Sequence, residues 1–147
     1  MVPEPACLFC QIAAKSRPAA IVFEDRRTLA FLDHRPLFPG HCLLIPREHF
    51  ETLGDLPAAE IEHLFGIARM LCLAVESGLG AEGSFMAVNN RVSQSVPHLH
   101  IHVVPRRRKD GLRGFFWPRG KYRDESDVRN ICVALQDAIE RLKQSAA

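Results

Sequence analysis

The sequence has no apolar run long enough to cross a bilayer and no basic N-terminal segment followed by a hydrophobic one. Neither a membrane span nor a secretory leader is expected, and the cytoplasm is the expected compartment. Net charge is nearly absent: 19 Lys and Arg against 17 Asp and Glu leave +2, so overall charge points to no partner. No internal repeat, low-complexity tract or linker interrupts the 147 residues, and a single compact domain, 1–147, is expected. Five cysteines, an odd number, form no even disulfide framework and are expected as thiols. Cys42, Cys72 and Cys132 have apolar neighbours and are expected to serve as small core residues. There is no glycine-rich phosphate loop and no paired-carboxylate magnesium site, so no catalytic metal is expected.

The basic residues that are present cluster in Arg106-Arg107-Arg108-Lys109 and again at Arg113, Arg119, Lys121 and Arg123. Such a stretch suits either a bound polyanion, a long polyphosphate for example, or a solvated loop. One basic loop without a recognisable module does not make a nucleic-acid-binding protein.

Pattern along the chain gives the elements. A helical turn is expected near Cys10 to Lys15, and strands over Ile21–Glu24 and Thr28–Leu32 with Asp25-Arg26-Arg27 between them. Further strands are expected over His41–Ile45, Ser84–Val88 and His98–Val104. Ile61, Leu64, Phe65, Ala68, Cys72 and Val75 recur at three- and four-residue intervals, marking one long helix that starts near Asp55 or Pro57 and ends near Gly78 or Gly80. Val128, Ile131, Leu135, Ile139 and Leu142 mark an amphipathic C-terminal helix. Without regular βαβ alternation, this order implies α+β with a mainly antiparallel sheet.

Pro97-His98-Leu99-His100-Ile101-His102-Val103-Val104 alternates with period two, which on a strand puts three imidazoles on one face. Apolar packing does not call for three histidines there, and each ring nitrogen needs a partner. Two chemistries suit them: nucleophilic attack on phosphorus by an unprotonated ring, or metal ligation. A catalytic metal site usually adds a carboxylate or a further histidine, and no acidic residue lies between Gly83 and Arg108. The neighbours are instead Asn89, Asn90, Gln94 and Ser95, neutral groups suited to ribose and phosphate oxygens, which favours phosphorus chemistry. Separately, Cys7 and Cys10 form a Cys-x-x-Cys pair. Only six residues precede Cys7, too few for the core strand of a thioredoxin-like redox motif, so two buried thiols or a metal site remain.

The segment Gln94-Ser95-Val96-Pro97-His98-Leu99-His100-Ile101-His102-Val103-Val104 resembles the signature of the histidine triad (HIT) superfamily, bacterial nucleotidyl hydrolase type. Cys7-Leu8-Phe9-Cys10, Leu29–Asp33, Gly40-His41 and Leu44–His49 extend the likeness over most of the chain. The resemblance implies a five-stranded, mainly antiparallel sheet with one long central helix and a C-terminal helix. It implies a nucleotidyl hydrolase or transferase that cleaves a purine nucleoside phosphoramidate or a dinucleoside polyphosphate. In that scheme His100 attacks the α-phosphorus, His102 lies near phosphate and ribose, and His98 fixes the geometry. Gln94 and Ser95 contact the phosphate or leaving group, Asp33 holds the ribose hydroxyls, Phe31 and Leu32 wall the base, and His41 and Asn89 stand beside the site. The connection after Asn89 is shorter than in many relatives, so Asn90 competes for its place. Trp117 is placed near the site by analogy, with packing as its alternative. Bacterial relatives also imply a structural zinc on Cys7, Cys10, His49 and His98, and a homodimer. A purine-nucleotide sensor or scaffold without turnover and a metal-dependent hydrolase are the competing functions.

Overall fold

In a computed structural model, which describes residues 6–112 and 120–146, the period-two segments form one sheet and the period-3.6 segments form helices. Helix α1 spans Leu8–Ala13, followed by β1 (Ile21–Glu24), β2 (Thr28–Leu32), β3 (Cys42–Pro46), α2 (Ala58–Leu79), β4 (Gly83–Val88), β5 (Ile101–Arg106) and α3 (Glu125–Ala146). The five strands lie in the order β1-β2-β3-β5-β4 and every pairing is antiparallel. The fold is the α+β arrangement the histidine signature implies. No helix among the described residues is long and apolar enough to cross a membrane. Arg113, Trp117 and Arg119 lie outside the described residues.

The chain falls into two compact units, Met1–Asp110 and Gly111–Ala147. In the first, both faces of the sheet are covered, because alternate residues of β2, β3 and β5 are apolar on both sides. One core gathers Ala30, Leu44, Leu99, Ile101 and Val103 with Leu64, Ala68, Leu71 and Val75 of α2. The other gathers Leu29, Phe31, Leu43 and Ile45 with Cys7, Phe9, Cys10 and Ile12 of the α1 region. Each such fully buried aliphatic side chain contributes about 1.5–3 kcal/mol. The buried stripe of α2 is rotated slightly from the sequence expectation: Leu71 is inside, Phe65 and Cys72 sit at its edge, and Ile61 is exposed.

Helix α2 stops at Gly80, whose φ of +63° is the left-handed conformation that favours glycine. The Arg107 guanidinium then donates to the Leu79 carbonyl at 2.7 Å and to the Gly80 carbonyl, satisfying oxygens the helix leaves over. Arg106 forms a two-pronged pair with Asp110 at 2.6 and 2.9 Å, and the Arg108 amide donates to Glu82. The basic cluster thus fastens the end of β5 to the end of α2.

In the second unit Asp124 caps α3, its Oδ1 accepting the Asp127 amide at 2.8 Å. The periodic residues Val128, Ile131, Leu135, Ile139 and Leu142 are exposed. Cys132 is exposed as well, which corrects its expected core role; Cys42 is buried and Cys72 half-buried. Its apolar neighbours in sequence belong to a helix face that buries little.

Candidate active site and metal centre

The histidine segment is extended, but ladder pairing starts only at Ile101, three residues later than the sequence pattern suggests. The register Leu44↔Ile101 puts Pro46 opposite Leu99. Proline has no N–H to give, and the Pro46 carbonyl accepts the His98 ring at 2.8 Å instead. Leu99 donates its amide to the Phe50 carbonyl at 2.6 Å. The alternation survives: Leu99, Ile101 and Val103 enter the α2-side core, and the three imidazoles face the opposite side.

Hydrogen bonds set the proton position on each ring. His100 Nδ1 lies 2.7 Å from the His98 carbonyl, which only accepts, so Nδ1 carries the proton and Nε2 keeps its lone pair. The Leu37 amide donates to His41 Nδ1 at 3.1 Å, which leaves the proton of neutral His41 on Nε2. That proton bridges the 3.0 Å gap to His102 Nδ1, so His102 presents Nε2–H. Asp33 Oδ2 stands 3.8 Å from His41 Nε2. Phe9 meets the His100 ring edge-to-face at 5.1 Å. Burial holds His100 below the usual histidine range, and burial with the neighbouring His100 and His41 rings takes His102 to about 4. The rings are therefore neutral near pH 7.

This depression has a consequence for stability. His102 titrates near 6.5 in the unfolded chain and at about 4 when folded, so its contribution is complete above pH 6.5. As pH falls from 6.5 to 4 the unfolded chain binds the proton first, and stability drops by at most about 1.4 kcal/mol per pH unit. Urea midpoints across this range should flatten in His102→Gln; a slope identical to wild type would remove His102 as its source.

The His100 and His102 rings open on a cleft of about 470 Å³, walled by Phe9, Ile12, Phe31, Leu32 and Leu43 and bordered by Asp33, Arg17 and Ser95. Of the sequence-predicted residues, the fold brings together Phe31, Leu32, Asp33, His41, Ser95, His100 and His102. Gln94 is occupied elsewhere: its carboxamide accepts the Arg91 amide at 2.7 Å and donates to the Glu51 carbonyl at 2.6 Å, tying two loops. Asn89 follows β4 and is not among the cleft walls, while Asn90 accepts the Leu53 amide at 2.9 Å. Sequence reading missed Phe9, Arg17 and Leu43. Phe9 sits inside the matched Cys-Leu-Phe-Cys segment, but nothing local announces that its ring meets His100.

Cys7, Cys10, His49 and His98 come from α1, the loop after β3 and the start of the histidine segment. Their ligand atoms all lie within 4.8 Å of one another. His98 Nδ1 is 3.5 Å from both thiols, and His49 Nδ1 is 3.3 Å from Cys10 Sγ. A tetrahedral zinc with ordinary Zn–S and Zn–N bonds has S···N edges of about 3.6 Å. His98 Nε2 is fixed as a donor to Pro46, so its Nδ1 lone pair points at the thiols. The donor set therefore fits zinc. Asp33, His41 and His102 also converge, but His41 Nδ1 already accepts an amide, which leaves Nε2 protonated and unavailable to a cation.

A profile of the HIT domain matches residues 14–109. A solved structure of a HIT family member from Bacillus subtilis superposes with a TM-score of 0.80 at 30% identity, covering 90% of this chain and 96% of that one. A zinc-bound histidine triad family protein from Mycobacterium smegmatis gives 0.70 at 35% identity, covering 90% and 97%. The adenylylsulfatase HINT3 of Arabidopsis thaliana is 32% identical over 108 residues, which are 72% of this chain and 55% of that protein.

Proposed function

The chain belongs to the HIT family, and from that premise we propose that it is a nucleotidyl hydrolase or transferase working through a nucleotidyl-His100 intermediate. The observation that carries this reading is the 2.7 Å bond from His100 Nδ1–H to the His98 carbonyl, which leaves an Nε2 lone pair facing a nucleoside-sized cleft. A purine lies between Phe9, Phe31 and Leu43, and Asp33 accepts the ribose hydroxyls.

In the first step His100 Nε2 bonds to the α-phosphorus while the bond to the leaving nitrogen or oxygen breaks, its electron pair departing with that atom, which takes up a proton from solvent. His102 Nε2–H and the Ser95 hydroxyl stabilise the non-bridging oxygens, fixed donors where charge develops. In the second step water attacks, the P–N bond to His100 breaks and its pair returns to the ring; water gives back the proton consumed earlier. The chemistry needs no metal at the phosphorus. Cys7, Cys10, His49 and His98 would hold a zinc ion whose part would be structural, joining α1, and with it Phe9, to the residue whose carbonyl orients His100.

The test is nucleotide release from an adenylyl-lysine phosphoramidate and from diadenosine tetraphosphate, side by side. Release of AMP from either, dependent on His100, is the expected result. AMP binding without release from any such substrate would replace hydrolysis by nucleotide sensing.

A further inference from the structure

The nucleotide cleft has a direction. Across the sheet Ile21, Phe31, Leu43 and His102 pair in one row, from edge strand β1 through β2 and β3 to β5. Neighbouring strands lie about 4.8 Å apart, so Phe31 stands about 10 Å from the strand that carries the reacting rings. Asp33 follows β2 and stands beside His41 at 3.8 Å. A nucleotide with its phosphorus at His100 and its ribose at Asp33 therefore lays its base over Phe31, toward the β1 edge.

Arg17 borders the cleft from that edge. It belongs to the connection between α1 and β1, whose Ala20 carbonyl accepts the Leu32 amide at 2.9 Å. The backbone there is held firmly: the Gln11 carbonyl accepts the Ser16 and Arg17 amides at 3.0 and 3.3 Å and the Ser16 hydroxyl at 3.1 Å. Pro18 then favours extended backbone at Arg17. The side chain, by contrast, is exposed, and no hydrogen bond or ion pair engages its guanidinium among the described residues. A guanidinium is a fork of donors only. Guanine offers N7 and O6 side by side as acceptors, whereas adenine sets an amino donor beside its N7.

Resting on the nucleotidyl hydrolase reading, we propose that Arg17 is a specificity-determining residue that reads the N7 and O6 edge of the base. The substrate class is then a guanosine nucleotide in preference to an adenosine one.

The experiment measures kcat/KM for the unsubstituted 5′-phosphoramidates of guanosine, inosine, 7-deazaguanosine and adenosine, with the affinities of GMP and AMP beside them. Wild type is compared with Arg17→Met, which keeps an unbranched stem without the donors. A bidentate arginine–guanine contact discriminates by at least about fivefold. Guanosine is expected to exceed adenosine by roughly that factor, mostly through KM. Inosine, which keeps N7 and O6, should match guanosine, and 7-deazaguanosine, which lacks the N7 acceptor, should fall toward adenosine. In Arg17→Met the four should come together and GMP should lose its lead over AMP. Equal use of guanosine and adenosine by wild type, or a guanosine preference that survives Arg17→Met, would overturn the assignment while leaving the hydrolase intact. So would a loss in Arg17→Met that is equal for both bases, the result of stacking on the base or of contact with phosphate. GMP binding ahead of AMP without release from any substrate would keep Arg17 as the reader of the base and overturn the hydrolase reading itself.

Discussion

His100→Ala is expected to lower nucleotide release by a factor on the order of 10⁴ or more, because it deletes the atom that bonds to phosphorus and nothing else nearby can replace it. His102 is the nearest ring, at 4.9 Å between centroids, but its Nδ1 is occupied by His41 and its Nε2 bears the proton. Neither nitrogen offers a free lone pair to the cleft. Binding should survive, since the walls Phe31 and Leu43 and the ribose partner Asp33 are untouched. The measurement is single-turnover AMP release together with AMP affinity for the same variant. Undiminished release would remove His100 as nucleophile. Release lost together with AMP affinity would point to local collapse around Phe9, and His100→Asn, which keeps a side-chain donor near the His98 carbonyl, then separates chemistry from packing.

Cys10→Ala is expected to have the largest effect on stability. Cys10 Sγ approaches both histidines of its cluster, and a zinc reduced to three protein ligands loses the closed tetrahedral set of a structural site. Metal content of about one zinc per chain should fall to near zero. Stability should fall by more than about 4 kcal/mol, a size reached by few mechanisms other than loss of a metal or disulfide. In a chain of this length that corresponds to a melting point lower by about 10 °C or more. Cys132→Ser, exposed on α3, is the control and should leave both values alone. A wild-type protein that melts within a degree or two of the same temperature with its zinc removed as with it bound would remove the metal from the account.

The sequence made the skeleton readable wherever period alone decides. The strands Ile21–Glu24 and Thr28–Leu32 emerged with the bounds expected, and α2 runs to the Gly80 stop. The three imidazoles do share a face, since alternation depends only on extended backbone. What period cannot report is who pairs with whom. The late start of β5 depends on Pro46 standing opposite, fifty-three residues earlier in sequence than Leu99. Gln94 has the chemistry for phosphate, and its use as a loop tie depends on where the Glu51 carbonyl falls. The Arg106 cluster suits a polyanion or a solvated loop by sequence, and only the fold shows Arg106, Arg107 and Arg108 each near an acid or a helix end.

Cys7 and His98 meet across a separation of 91 residues, and that span has a cost in time. A ribosome adding roughly 5–20 residues per second needs roughly 5–18 s to pass from one to the other. Throughout that interval the two thiols near the N-terminus wait for the last member of their site, although His49 follows Cys10 by only 39 residues. An oxidant arriving then could join Cys7 to Cys10 before His98, the last of the four, has been made. The finished protein shelters these sulfurs in its interior, so the moment of greatest chemical vulnerability belongs to the nascent chain.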